Sequence, residues 1–385
     1  MGQKRLRATF MRGGTSKAVM FRQEDLPRDR GAWDEIFLAV MGSPDPNGRQ
    51  LDGMGGGISS LSKVCVVGPP SRPDADVDYT FGQVSVASAV VDYSANCGNM
   101  SSAVGPFAVD EGLVSRPDGA EAVVRIHNTN TGKIIVSRFP MDGACAAVDG
   151  DLAIDGVAGT GAPIRLDFTD PAGAVTGKLL PTESPSDDLD VPGIGRVPAS
   201  MVDAANPCVF VPAEALGCTA TERPDELESA PNLLGAFEAI RRSASVAMGI
   251  APDREAAGGL ASVPKIAIVA APAEFGTLSG RRLGPDDVDI LVRMISVGQP
   301  HRAVPLTGAL CLAVACRIPG SLPNRLAANG RADIRVGHPS GVTLVSAEVT
   351  PRGNSLDVRR ASVYRTARRL FRGEVFYGAG AVVSP

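Results

Sequence analysis

Cys97 lies in the stretch "SANCGNMSSAVG", between an asparagine and a glycine and just ahead of a run of small residues. That run reads as the opening of a helix, "GNMSSAVGPFAVDEGLV". A helix start exposes backbone N–H groups that have no partner inside the helix, and the aligned peptide dipoles add partial positive charge. Small side chains let a ligand approach that backbone, so the place suits a carboxylate or a phosphate. A cysteine at such a position is favoured as thiolate. Cys97 is therefore a candidate proton-transfer base or nucleophile, with packing beside a turn as the alternative.

A nucleophilic cysteine ordinarily works with an imidazole. The chain has three histidines, His127, His301 and His338, and none is near Cys97 in sequence. His127 falls in a hairpin strand and His338 in "GHPSG", where structural hydrogen bonding is expected. His301, in "GQPHRAVPLTG", precedes a second helix that opens on small residues, "TGALCLAVA", and is a candidate site residue. No HxH, HExxH or Cys/His pair at ligand spacing occurs, so no metal is expected. "GGTSK" lacks the GxxxxGK[ST] spacing of a phosphate loop. "GMGGGISS" does not open a helix after a strand as a dinucleotide motif does, so no cofactor is expected. Its glycines and serines could instead form a backbone nest for an anion.

The elements that must position these residues follow from local pattern. "KRLRATFM" reads as a strand feeding the turn "RGGTSK", and "DRGAWDEIFLAVMGSPD" as a helix ended by Gly42 and Pro44. "KVCVVG" and "DYTFGQVSV" are β-rich, and "AVVRIHNTNTGKIIVSRF" reads as a hairpin. The Pro/Ser/Asp-rich stretch 181–196 is the best linker candidate. Beyond it, "PNLLGAFEAIRRSASVAMG" is helical, "KIAIVAAP" a strand, "PLTGALCLAVACRI" a helix, and "ADIRVGHPSGVTLVSAEV" a hairpin. "AVMFRQEDL" (18–26) lines up with "CVFVPAEAL" (208–216), which suggests two related halves, each with a helix opening on small residues.

Composition bounds the function classes. The 385 residues are 44% hydrophobic, enough for two domains. The formal net charge of −4 argues against a nucleic-acid partner. Arg359, Arg360, Arg365, Arg368, Arg369 and Arg372 form the one basic cluster and alternate with small and apolar residues, as on a solvated strand face. The seven cysteines form no CxxC, the usage of a reducing, cytoplasmic compartment. No stretch is long enough to span a membrane, and no apolar leader begins the sequence.

The blocks "FMRGGTSK", "MGSPDPNGRQLDGMGGGISSLSKV", "DYTFGQV", "NCGNMSSAVGPFAVDEGLV", "NPCVFV", "HPSG" and "RTARRLFRGEV" occur in this order from residue 9 to about 377. Together they resemble the PrpF family of 2-methylaconitate cis-trans isomerases, 4-oxalomesaconate tautomerases, and methylitaconate and aconitate isomerases. The resemblance implies an α+β, diaminopimelate-epimerase-like fold. That fold has two pseudo-symmetric domains, each a mainly antiparallel sheet wrapped around a central helix, with the active site in the cleft between them. The halves would be residues 1–188 and 189–385. The resemblance also implies a lysine and a cysteine as proton-transfer groups, matching Lys63 and Cys97. Amino-acid epimerases of this fold use two cysteines. Here Thr307 and Gly308 stand where the second would fall, and Cys311 lies about one turn inside the helix, so two-cysteine racemisation is disfavoured.

The expected reaction is a cofactor-independent isomerisation of a small unsaturated di- or tricarboxylic acid, by a 1,3-allylic proton shift or a cis-trans interconversion. Substrate carboxylates are expected against Gly98, Asn99, Met100 and Ser101 at one helix start and Thr307, Gly308 and Ala309 at the other. Arg12, Thr15, Ser16, Ser59, Ser60, Asn96 and Asn206 are expected to add polar contacts. The alternatives are a cysteine hydrolase using Cys97 with a histidine, and a non-catalytic carboxylate-binding protein on the same scaffold. Monomer and homodimer are both compatible with the sequence.

Overall fold

A computed structural model describes residues 2–93, 96–115, 119–260, 263–296, 298–328, 330–353 and 355–378. The chain divides into two compact units, one formed by residues 1–167 with 365–385 and the other by 168–364. This division differs from the expected one at 188/189. The stretch 181–196, read as a linker, contains the strand Asp187–Val191, paired with the strand that begins at Gly195.

In chain order, the strands that build the site are β1 (Lys4–Gly13), β2 (Ser16–Arg22), β3 (Lys63–Gly68), β4 (Val77–Val84), β5 (Glu121–Asn128) and β6 (Lys133–Asp142). They continue with β7 (Gly195–Ala204), β8 (Asn206–Pro212), β9 (Lys265–Ala270), β10 (Ile290–Ser296) and β11 (Asp333–His338). The last three are β12 (Gly341–Arg352), β13 (Ser355–Arg365) and β14 (Ala367–Tyr377). The helices that matter are α1 (Trp33–Met41), α2 (Gly98–Asp110), α3 (Pro231–Ala247) and α4 (Leu306–Ala315).

The first unit's sheet runs β14-β1-β2-β3-β4-β5-β6. The β1–β2 hairpin turns through Gly14 and Thr15, with Gly14 at φ +51°, a conformation that glycine adopts without a Cβ penalty. β2 and β3 are parallel, β3 and β4 antiparallel, β4 and β5 parallel, β5 and β6 antiparallel. β14 pairs along the whole of β1, from Lys4–Tyr377 to Gly13–Ala367, which is why the chain's last segment belongs to the first unit.

The second unit repeats this plan. β7 and β8 form an antiparallel hairpin, β8 and β9 are parallel, β9 and β10 antiparallel, β10 and β11 parallel, β11 and β12 antiparallel. α2 falls between β4 and β5, and α4 between β10 and β11. The short repeat seen in the sequence is thus the trace of a doubled strand order.

Each central helix is nearly enclosed. α2 packs on β1, β2, β3, β5, β6 and β14, and every residue from Met100 to Val109 is buried. Small residues make this possible. A Cβ on Gly105 would stand 2.7 Å from both Phe139 Cε1 and Ser137 Oγ, so the helix approaches the sheet closely only because that atom is missing. α4 packs on β7, β8 and β12 and is buried from Gly308 to Ala315. Helices with apolar residues on one face also cover these sheets. Phe37 of α1 stacks on Phe21 of β2, ring centroids 5.6 Å apart. Phe237, Ile240 and Ala244 of α3 join Val209, Val211, Ile266 and Ile268 in one core. Gly42 closes α1 in the left-handed conformation, as its position predicted. Among the described residues, no helix is long and apolar enough to cross a membrane.

Candidate active site

Lys63 opens β3 and is 7% exposed. Its Nζ donates to Oε1 of Gln83, its cross-strand partner on β4, and lies 5.1 Å from the centre of the Phe81 ring. Gln83 is itself fixed: its amide donates to the carbonyls of Ser59 (3.0 Å) and Ser62 (2.8 Å). Ser59 and Ser60 lie in the single 3₁₀ turn Ser59–Leu61, Ser59 exposed and Ser60 half-buried, and Ser59 meets Gln83 through its backbone. The loop before them is tied down by buried Gln50. That side chain donates to Ser43 Oγ (2.8 Å) and Ser62 Oγ (2.7 Å) and accepts from the Gly57 N–H (3.0 Å).

Cys97 is the residue from which α2 springs, and its side chain makes no capping hydrogen bond. The Ser101 N–H reaches the Cys97 carbonyl at 2.9 Å. The N–H groups of Gly98, Asn99 and Met100 come before this ladder and point out of the helix end. No acidic side chain occupies the first turn to offset the dipole. Met100 is fully buried and offers only its backbone.

Lys63 and Cys97 meet electrostatically at a third side chain. Cys65, two residues along β3 from Lys63 and so on the same face, is buried with its thiol 3.8 Å from the Tyr79 hydroxyl. Burial pushes the Cys65 thiol up, negative charge on Cys97 pushes it further, and the Lys63 ammonium pulls the other way. Burial likewise raises the Tyr79 phenol, with Cys65 and Cys97 adding to the effect. Amine and sulfur therefore both act on one buried neighbourhood.

A polar patch adjoins the start of α2. Asn99 Nδ2 donates to Thr15 Oγ1 (3.0 Å), and Asn99 Oδ1 accepts from Arg365 Nε (3.3 Å). Arg12 donates to the carbonyls of Gly14 and Thr366, each at 3.0 Å, and its pKa is lowered by burial and then by Arg368. Ser101 Oγ donates within 3.1 Å of both Asn96 Oδ1 and the Cys97 carbonyl. Asn96 and Ser101 thus brace the helix end, and Ser16, at the start of β2, is buried. Arg365 corrects the reading of the arginine-rich tail as a solvated face. Arg368 and Arg372 are exposed, but Arg365 is 9% exposed, and burial draws its guanidinium down to about 10. Arg365 and Gln83 are the site's side chains that sequence reasoning missed in this unit.

The other expected residues lie in the second unit. Asn206 begins β8 and donates to the Pro207 carbonyl at 2.9 Å. Thr307 is half-buried, and Gly308 and Ala309 are buried in the first turn of α4, which follows Pro305 and carries no acidic residue. Cys311 is core: its thiol donates to the Val202 carbonyl at 3.4 Å. His301 is half-buried, and its pKa is lowered by burial and then by Lys265.

The remaining histidines are structural. His127, the one histidine of the first unit, engages Asp78 Oδ1 at 2.9 Å, and His338 engages Thr343 Oγ1 at 2.9 Å. A hydrolase dyad of Cys97 with an imidazole therefore has no support within the first unit. Among the described residues, no group of three His, Cys, Asp or Glu is placed to hold a metal ion.

Comparison with known proteins agrees with the fold. The family model described as PrpF protein matches residues 3–378. A 3-methylitaconate isomerase from Eubacterium barkeri is 42% identical over 378 residues, covering 97% of each protein. A 2-methyl-aconitate isomerase from Cupriavidus necator is 41% identical over 384 residues, also covering 97% of each. The crystal structure of a methylitaconate-delta-isomerase superposes with a TM-score of 0.91 at 39% identity, covering all of both chains.

Proposed function

This chain belongs to the PrpF protein family, and on that premise we propose that it isomerises a small unsaturated di- or tricarboxylic acid by carrying a proton between two carbons of an allylic unit. The relatives named as methylitaconate and methylaconitate isomerases support the substrate class. The observation that carries the assignment of roles is the placement of Cys97 at the uncapped start of α2, with the buried Lys63 opening β3 in the same unit.

The chemistry balances without a redox partner. One of the two groups, as free amine or thiolate, removes a proton from the carbon next to the double bond. The electron pair left behind forms the new C=C, and the old π pair moves toward a carboxylate, giving a dienolate-like anion. The conjugate acid of the other group then protonates the far carbon. A cis-trans interconversion uses the same anion, with rotation about a bond whose double character is reduced. Lys63 and Cys97 are both suited to either role.

Charge growing on the carboxylate oxygens needs donors already in place. The Gly98, Asn99 and Met100 N–H groups supply them, with Thr15, Asn99, Arg12 and Arg365 as polar surroundings. Losing one donor of this kind typically costs about 3–4 kcal/mol of barrier.

The test is incubation of the protein in deuterium oxide with aconitate, methylaconitate, methylitaconate and oxalomesaconate. Proton and deuterium NMR should find solvent deuterium beside a migrated or inverted double bond for at least one acid. Lys63→Met and Cys97→Ala should each abolish that signal in a folded protein. Full turnover in either variant would remove that residue from the reaction.

A further inference from the structure

The glycine-rich loop ahead of Lys63 is built around one side chain. Gln50 is 1% exposed, and its φ of +53° puts a non-glycine residue in the left-handed region, a conformation that persists only where the surroundings hold it. Asp45 holds that backbone. Its carboxylate accepts from the N–H groups of Asn47 (2.8 Å), Arg49 (3.0 Å) and Gln50 (2.6 Å). Glycines make room for the amide. A Cβ on Gly55 would collide with Cδ and Oε1 of Gln50, and the Gly57 N–H donates to that same Oε1 at 3.0 Å. The Gly55 N–H is taken by the Met41 carbonyl at 3.2 Å. These N–H groups of "GMGGGISS", read from the sequence as a nest for an anion, therefore meet acceptors of the protein itself.

Donors and acceptors then connect Gln50 to Lys63. One N–H of the amide goes to Ser43 Oγ at 2.8 Å, just past the end of α1. The Ser62 hydroxyl gives its single proton to the Val84 carbonyl at 2.9 Å, so its oxygen accepts from Gln50 Nε2 at 2.7 Å. The Ser62 carbonyl accepts from the Val84 N–H (3.1 Å) and from Gln83 Nε2 (2.8 Å). Gln83 Oε1 in turn accepts from the Lys63 ammonium. Ser62 is fully buried and is the residue before Lys63. Two glutamines thus hold it, one through its hydroxyl and the other through its carbonyl, and all of these residues belong to the first unit.

We infer that Gln50 is a positioning residue for the reaction, which acts through Ser62 to fix the direction in which the Lys63 amine points. The lysine stem is a flexible four-carbon chain, so its amine has a direction only where neighbours supply one. A glutamine kept in a backbone conformation that glycine adopts without strain marks a place where the side chain itself is needed. The inference rests on the isomerase reading for what Lys63 does, and on the hydrogen bonds for the coupling between the two residues.

Gln50→Gly removes the amide and leaves a backbone that glycine adopts freely. On the full chain with a turned-over acid, kcat should fall at least about tenfold while KM stays within about threefold. Acetic anhydride labelling followed by peptide mass spectrometry reads the amine directly. Lys63 should be acetylated at least about threefold faster in Gln50→Gly than in wild type, with the exposed Lys133 and Lys178 unchanged as references. In a Gln83→Leu background, Gln50→Gly should lower kcat by less than about threefold further, because both glutamines act through one amine. A glutamine that only packs would lower kcat by the same factor in both backgrounds and leave Lys63 acetylation as in wild type, and either result overturns the inference. Should Gln50→Gly fail to fold, Ser62→Ala takes away the hydroxyl between Gln50 and Lys63, and the same two readouts support or overturn the inference in the same way. Faster acetylation of Lys63 with no deuterium exchange on any acid sinks the isomerase reading and leaves the coupling of Gln50 to Lys63 standing.

Discussion

The ammonium of Lys63 is held by the side chain of Gln83, and Gln83 is held in turn by two carbonyls of the turn that precedes Lys63. The strand pair β3–β4 sets the two residues opposite each other. The carbonyls of Ser59 and Ser62 fix which end of the Gln83 amide faces the lysine, because only the NH₂ end can donate to them.

Replacing Gln83 by Leu keeps the volume of the side chain roughly and removes the acceptor. The Lys63 amine then loses its fixed direction. We expect kcat to fall about 10- to 100-fold with a smaller change in KM, as for other supporting contacts that orient a reactive group. Steady-state kinetics on the best acid measures it. A Gln83→Leu variant with wild-type kcat would show that the lysine is aimed by something else.

Arg365 brings a buried cation to Asn99 at the start of α2. Arg365→Met fills similar space without charge. Met keeps the packing and removes the desolvation cost of the charge, at the loss of the hydrogen bond to Asn99 Oδ1, so melting should shift by no more than a few degrees. kcat/KM should nevertheless fall about 10- to 100-fold, the scale of one charged hydrogen bond. A large drop in melting temperature with little effect on kcat/KM would make the residue a purely structural one.

The start of α2 rests on the β1–β2 hairpin at Gly13. A Cβ there would lie 2.6 Å from the Asn99 carbonyl oxygen and 3.2 Å from Met100 Cα. Both are backbone atoms, so Gly13→Ala must displace the helix end or the hairpin. Overpacking of this kind costs about 1–3 kcal/mol, and melting should fall by about 2–4 °C per kcal/mol in a unit of this size. Activity should drop more than stability does, because the displaced atoms carry the anion-facing N–H groups. Calorimetry and kinetics on the same preparation would separate the two effects.

The second unit offers a pH test. Glu238 of α3 accepts from Arg241 and from Arg242. Arg241, 3% exposed, also holds the carbonyls of Ala257, Leu260 and Val263 just ahead of Lys265. Arg241 draws the Glu238 carboxyl below its ordinary 4.5, burial opposes this, and Arg242 adds to it. The folded pKa lies below the unfolded one, so between them the unfolded chain binds more protons. The stability from this contact is therefore complete above 4.5 and is lost as pH falls through the folded pKa. Wild type should exceed Glu238→Gln in urea midpoint at about pH 7, and the gap should close toward about pH 3. A gap that is constant with pH would remove ionisation of Glu238 from the account.

Much of this molecule is written in local pattern. Residues of one chemical type recur at the spacing of a strand or a helix, and Gly42, Gly14 and the small residues after Cys97 mark where those elements turn or begin. These are short-range properties, so the hairpins, the two small-residue helices and the position of Cys97 at a helix start were legible. The doubled plan was partly legible too. "KVCVVG" and "KIAIVA" both open on a lysine and continue with aliphatic residues, and each begins the parallel strand of its own unit's sheet.

The tertiary structure decided the rest, because cross-strand register and burial are sums over residues far apart in the chain. Nothing near Gln83 in sequence says that it will face Lys63, and nothing near Gln50 says that its amide will knit Ser43, Gly57 and Ser62 together. Arg365 and Arg368 look alike in a tail of alternating arginines. Both belong to the first unit, but the first closes β13 against Asn99 at the start of α2 and loses its solvent, whereas the second stands on β14 in water. Composition counts the charges, but only the packed sheet determines which of them loses its solvent.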